Sequence, residues 1–185
     1  MNTIQIREYS TETHNQIIGW TGNCDTKASI ILAFIGVLVS IAFTSEYLLS
    51  GIEIEIKNII LYWIDNVGSF CFLSTLMFLS LIGFIVYIAL CCYYAITSLK
   101  ANVNCPNNSI IFFGKIAELS IDDYTGKVKS ITDEEFEYDK LIQIHTCAMI
   151  CNDKFKSYNK SIKYLCMGLL LFVCFVFFII ILNSF

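Results

Sequence analysis

The residues of this chain with most to offer a ligand are cations standing beside aromatic rings. Phe112-Phe113-Gly114-Lys115 sets two stacking faces, a permissive glycine and an ammonium in a row. Aromatic stacking plus a cation suits a nucleobase and its phosphate. Lys154 and Tyr158 fall one helical turn apart. Trp20, Asn23 and Lys27 lie along one face of a helix, with Asp25 beside Lys27. A ligand with one phosphate charge and one flat base needs a cation, a stacking face and polar groups for the base edge. The expected ligand-binding set is therefore Trp20, Asn23, Asp25, Lys27, Phe112, Phe113, Lys115, Lys154 and Tyr158, provided the three groups meet. Each group has a plainer alternative. Residues 112–115 also read as core aromatics with a solvated lysine, and Lys27 as an interfacial lysine whose stem lies on apolar surface.

Other chemistry finds less support. His145-x-Cys147-x3-Cys151 has metal-ligating residue types, but His145 points about 200° away from Cys147 on a helix, so thiols on a packed seam are the better reading. No metal and no cofactor is expected. There is no phosphate-binding Walker loop, no Gly-rich dinucleotide turn and no nucleophile elbow, so the chain is not expected to be an enzyme. The net charge of −4 offers no footprint for a nucleic acid polymer. The nine cysteines are odd in number and avoid the loop placed outside below, which is the distribution of reduced thiols.

The elements that must position these residues are helices in a bilayer. Apolar residues make up 56 % of the chain and charged residues 15 %, against about 25 % charged in a soluble domain. Three charge-free runs, Ala28–Ser45, Asn66–Leu99 and Tyr164–Phe185, have 18, 34 and 22 residues. A crossing needs roughly 20, so the long second run reads as one tilted helix whose end, Tyr93–Leu99, emerges into water. The first residues are polar and mixed in charge, without an apolar signal-peptide core. The spans hold no Asp, Glu, Lys or Arg, which leaves an ion-coupled transporter unsupported.

Lysines set the orientation. Lys27, Lys100, Lys154, Lys156, Lys160 and Lys163 flank one side of the spans, while the loop from Glu46 to Asp65 carries four acids against Lys57. The N-terminus and residues 98–162 are expected in the cytoplasm and the C-terminus outside, with Tyr62 and Trp63 in an outer aromatic belt. The fold class is an all-α membrane protein with three transmembrane helices, a cytoplasmic helical insertion and long helices extending into the cytoplasm. Its parts are an N-terminal cytoplasmic helix 1–27 continuous with the first span 28–48, an external loop 49–67, a second span 68–97, a helical sensor region 98–162 and a third span 163–183.

Within the sensor region, Ser120-Ile121-Asp122-Asp123 and Thr132-Asp133-Glu134-Glu135 read as capping boxes. The first opens a short helix and the second a long one. Pro106 marks a turn. On the long helix Leu141, Ile144, Ala148, Cys151, Phe155, Tyr158, Ile162, Leu165 and Leu169 recur at steps of three and four, a heptad seam that runs into the last span. Ile17, Trp20, Cys24, Lys27, Ile31, Phe34, Leu38 and Ile41 repeat that spacing on the first helix. Two such rods can pack along both the polar and the apolar segments. Together with Gly36, Ser40, Ser74, Ser80 and Gly83, where helices can approach closely, the seam suggests a homo-oligomer.

Three separated segments carry a family resemblance. Asn23-Cys24-Asp25-Thr26-Lys27-Ala28-Ser29-Ile30-Ile31-Leu32 resembles the opening motif of the membrane effectors of Pycsar antiviral systems. Ser109-Ile110-Ile111-Phe112-Phe113-Gly114-Lys115-Ile116-Ala117 is similar to that family's Tyr-Phe-Gly-x-Ile-Ala segment. The likeness continues through Gln143-Ile144-His145 and Asn152-Asp153-Lys154-Phe155-Lys156-Ser157-Tyr158. Cys24 replaces an alanine, Phe112 a tyrosine, and Asn107 stands where an arginine often follows the proline. The resemblance implies an anti-phage effector of the bacterial inner membrane. It would sense a cyclic pyrimidine mononucleotide (cCMP or cUMP) made by a partner cyclase, disrupt the membrane, and end the infection abortively. The alternatives are a scaffolding membrane protein whose seam recruits a partner, or an effector of a cyclic-oligonucleotide system.

Overall fold

The computed structural model describes residues 3–65, 72–100, 109–182 and 184. The turn expected at Pro106, the belt side chains Tyr62 and Trp63, and the expected start of the second span at 68–71 lie outside the described residues. All described elements are helices: α1 Thr3–Thr44, α2 Glu46–Asp65, α3 Phe72–Leu99, α4 Phe113–Ala117, α5 Ile121–Ser130 and α6 Asp133–Leu182. Three of them, α1, α3 and α6, are long and apolar enough to cross a membrane. The 50 residues of α6 extend roughly 75 Å at 1.5 Å per residue.

Both capping boxes form. Ser120 Oγ accepts from the Asp123 amide at 3.1 Å and donates to the Asp123 carboxylate at 2.6 Å, which starts α5. Thr132 Oγ1 accepts from the Glu135 amide at 3.3 Å, and the Glu135 carboxylate reaches back to the Thr132 amide at 2.9 Å, which starts α6. These contacts satisfy amides that the first helical turn leaves without carbonyl partners.

The segment expected as a loop is different. The first helix stops at Thr44, and α2 follows after Ser45 alone, whose Oγ accepts from the Leu48 amide. The charges that suggested a loop have places on a helix. Glu53 and Lys57 pair at 2.8 Å across one exposed turn, and the carboxylate is held below its usual range by that bond and charge. Glu55 turns inward, buried, and accepts a hydrogen bond from the buried hydroxyl of Ser74.

The chain forms two compact units. One contains residues 28–97 and 157–185. Its core joins Ile31 and Ile35 of α1 to Phe84, Ile88 and Cys91 of α3, with Tyr158, Leu165 and Phe172 of α6 packed against them. A second cluster seats Leu48 of α2 among Met77, Phe175 and Ile179. Close approach of α3 and α6 depends on Gly168, where a Cβ would lie 3.2 Å from Ile88 Cδ1. The outer surface of this unit is apolar: Ile30, Phe34, Val37, Leu79, Ile82, Ile85, Leu170, Val173 and Phe177 are all exposed. A water-soluble monomer does not carry so much contiguous apolar surface, whereas lipid is its natural solvent. Ser74, Ser80 and Gly83 are spent inside the chain, on Glu55, the Met77 carbonyl and Leu171. Gly36 and Ser40 remain on the exposed face of α1.

The expected seams hold in part: Ile17, Cys24 and Ile31 of α1 and Cys151 of α6 are buried, and Tyr158, Ile162 and Leu165 pack on the core. On α1 the buried positions are Ile17, Cys24, Ala28, Ile31 and Ile35, while Trp20, Lys27, Phe34 and Ile41 are exposed. On α6 the membrane part buries Ser161, Gly168, Phe175 and Ile179, and Leu141 and Ala148 are exposed. Small side chains let helix axes approach, and a pattern that ranks residues by apolar size passes over Ala28, Ser161 and Gly168.

Candidate ligand-binding site

The other unit contains residues 1–27 and 98–156. Within it the polar part of α1 lies beside the start of α6. Arg7 Nε donates to Glu137 at 2.5 Å, Lys140 Nζ donates to Thr11 at 2.6 Å, and Lys154 Nζ pairs with Asp25 at 2.5 Å. The partners are separated by 130, 129 and 129 positions. A nearly constant offset means that the two helices run parallel and in register through this unit. Ser98, at the end of α3, closes the far end. Its hydroxyl donates to the Lys154 carbonyl at 3.2 Å and lies 3.5 Å from the Cys24 thiol.

The insertion is fastened to α6 by one carboxylate. Asp139 accepts from the Ile110 amide at 2.9 Å and the Ser109 hydroxyl at 3.1 Å, and Ser109 Oγ accepts in turn from the amides of Ile111 and Phe112. That web sets the entry to α4. Phe112 then folds over Gly114, where a Cβ would meet its ring at 2.6 Å, so a larger residue at 114 would have to displace that ring. A small apolar cavity of about 440 Å³ lies between the insertion and α6, lined by Ile110, Ile116, Tyr124, Val128 and Phe136 among others.

The expected site residues fall in separate places. Phe112 and Phe113 have ring centroids 4.7 Å apart, and Lys115 pairs with Glu118 at 2.9 Å. Asp25 and Lys154 come together in the ion pair already given, with Lys154 only 11 % exposed. Trp20, Asn23 and Lys27 are exposed. Tyr158 belongs to the other unit, packed on its apolar core. The Phe112–Lys115 group is anchored at Asp139, fifteen residues before Lys154, or roughly 22 Å along the helix. On α6, His145 is exposed while Cys151 is buried, so the two do not share a face. Among the described residues no group of three metal-ligating side chains comes together.

Sequence reasoning passed over the groove between α1 and α6. It is an open groove of about 900 Å³, lined by Arg7, Glu8, Thr11, Glu12, Asn15 and Gln16 from α1 and by Phe136, Glu137 and Lys140 from α6. The bond and charge of Glu137, then the charge of Asp133, hold the Arg7 guanidinium proton even more firmly than usual. One signal was available: Arg7 is the only arginine in the chain. Its partner could not be read, because nothing local links positions 7 and 137.

The family model of the Pycsar effector protein domain matches residues 9–181. The chain belongs to the Pycsar effector family. It is similar to the Pycsar effector protein GmPycTM of Gulbenkiania mobilis, with 28 % identity over 179 residues that cover 91 % of this chain and 90 % of the relative. No solved structure matches it. This Pycsar effector is thus an all-α membrane protein whose family match spans all three membrane-crossing helices and the insertion. Arg7 and Glu8 lie just before the matched residues, whereas Thr11, Phe136 and Lys140 lie within them.

Proposed function

We propose that this protein is an antiviral effector that senses a cyclic pyrimidine mononucleotide, cCMP or cUMP, in the cytoplasm and compromises the bacterial inner membrane in response. Family membership supports the reading. The structural observation that carries it is the make-up of α1 and α6. Each is one uninterrupted helix with a polar stretch followed by an apolar membrane span. Lysine placement puts the N-terminus and residues 98–162 on the cytoplasmic side, where a partner cyclase would release the signal. The cations and aromatic rings that could hold a nucleotide lie in the polar stretches, and the charge-free runs hold no Asp, Glu, Lys or Arg.

A ligand of this kind acts by binding one packing of the α1–α6 pair more tightly than another. Moving such an equilibrium from 1:99 to 99:1 takes a difference of about 5.5 kcal/mol. That is within reach of one phosphate and one stacked base when both contact the same two helices. Self-association through the exposed α1 face that carries Gly36 and Ser40 would gather several copies at one lesion.

The test is made in cells. The effector is expressed with a pyrimidine cyclase or with its inactive variant, and membrane potential is followed with a voltage-sensitive dye. Depolarisation that requires the active cyclase is the expected result. A scaffold predicts no depolarisation in either strain, and that result would remove the proposal.

A further inference from the structure

The groove between the N-terminal part of α1 and the start of α6 has parts that match one class of ligand. Lys140 has a hydrogen bond to Thr11 and, among the described residues, no carboxylate at ion-pair distance. Arg7 commits Nε to Glu137 and one terminal nitrogen to Asp133, at 3.4 Å, leaving its other terminal nitrogen without a partner among the described residues. Two cations with spare donors therefore face one volume. Phe136 lines the same groove and is 39 % exposed, so ring surface is open to stacking. Asn15 and Gln16 supply carboxamides that both donate and accept, and Glu12 accepts. At about 900 Å³ the groove falls within the usual range of small-molecule sites.

The charge balance narrows the choice. The lining holds Arg7 and Lys140 against Glu8, Glu12 and Glu137. A bare polyanion would be repelled. A monoanion with a flat, hydrogen-bonding ring has a use for both signs: the cations take the phosphate, and a carboxylate takes a ring N–H or amine. We infer that this groove binds a cyclic mononucleotide, with phosphate on Lys140 and Arg7, base against Phe136, and base edge on Asn15, Gln16 and Glu12. The inference rests on the function proposed above and adds its site. Because the lining comes from both α1 and α6, a bound nucleotide reads their mutual packing directly.

The experiment measures binding of cCMP and cUMP to the full-length protein in lipid nanodiscs by calorimetry. Lys140→Gln keeps a donor for Thr11 and removes the charge; Phe136→Leu keeps an apolar side chain and removes the stacking face. Each is expected to weaken binding about tenfold or more. Lys140→Arg, which restores charge, is expected to recover it, and that recovery separates loss of a contact from loss of fold. Lys156→Gln, whose lysine pairs with exposed Asp153 outside the groove, is expected to bind like the parent. Parent-like binding by both Lys140→Gln and Phe136→Leu would overturn the groove assignment while leaving nucleotide sensing in place. Loss of binding on Lys115→Ala or Lys154→Ala in that case would place the site at those lysines. A parent protein that binds neither nucleotide would overturn both the site and the function it rests on.

Discussion

Two local contacts decide where α6 begins, and one of them titrates. The Thr132 amide and hydroxyl both donate to Glu135 at 2.9 Å, which holds this carboxyl below its usual range. A depressed folded-state value means that the contact's stabilisation is present above the ordinary value of about 4.3 and is lost as pH falls through the lower one. Hydrogen-exchange protection of residues 133–138 should therefore decline in that acidic window. Glu135→Gln, which removes the titrating group, should flatten the dependence, and an unchanged pH profile in that variant would show that this carboxylate does not hold the helix start. The Asp25–Lys154 pair is a different case. Lys154 is nearly enclosed while Asp25 is 38 % exposed, so solvent screens much of the attraction. Lys154→Met is expected to cost about 1 kcal/mol, a fall in Tm of roughly 2–4 °C, measured by thermal unfolding in detergent. These two contacts also mark what the sequence could reveal. The capping box lies within four residues and is legible from residue types alone. Asp25–Lys154 and Arg7–Glu137 join positions about 130 apart, and no local rule reaches that far.

At the scale of elements, long apolar runs made α1, α3 and α6 legible, because a bilayer imposes both length and composition on a crossing. The α2 helix was not legible. Its acids and lysine read as loop residues, yet one turn pairs Glu53 with Lys57 and another hides Glu55 against Ser74. The choice of seam was right only in part, for a physical reason. Ala28, Ser161 and Gly168, outside the expected seams, are buried because helices come closest where side chains are smallest, while larger apolar residues on either side can face lipid at no cost. Gly168 tests this directly. A leucine there has Ile88 and Tyr87 in its way, and overpacking of this kind costs about 1–3 kcal/mol. Gly168→Leu should lower Tm and cut insertion yield, whereas Leu170→Ala on the exposed face should change neither. Equal behaviour of the two variants would contradict the seam.

For the whole molecule, orientation and gating belong together, because a cytoplasmic signal can act only on groups that face the cytoplasm. Lysine placement predicts α2 on the opposite side. A cysteine at position 57 in a background without accessible thiols should react with a membrane-impermeant maleimide added outside, and labelling only after permeabilisation would reverse the topology. The candidate ligand groove was illegible in sequence because it is made by register: two polar helix faces become a site only when α1 and α6 lie parallel at their nearly constant offset. The most direct test of the account uses purified protein in sealed liposomes loaded with a self-quenching dye, with cCMP or cUMP added outside and cytoplasmic faces outward. Dye release that requires both protein and nucleotide, saturates with nucleotide concentration, and is lost in Lys140→Gln is the predicted result. Release that is absent with the parent protein, or equal with and without nucleotide, would contradict it.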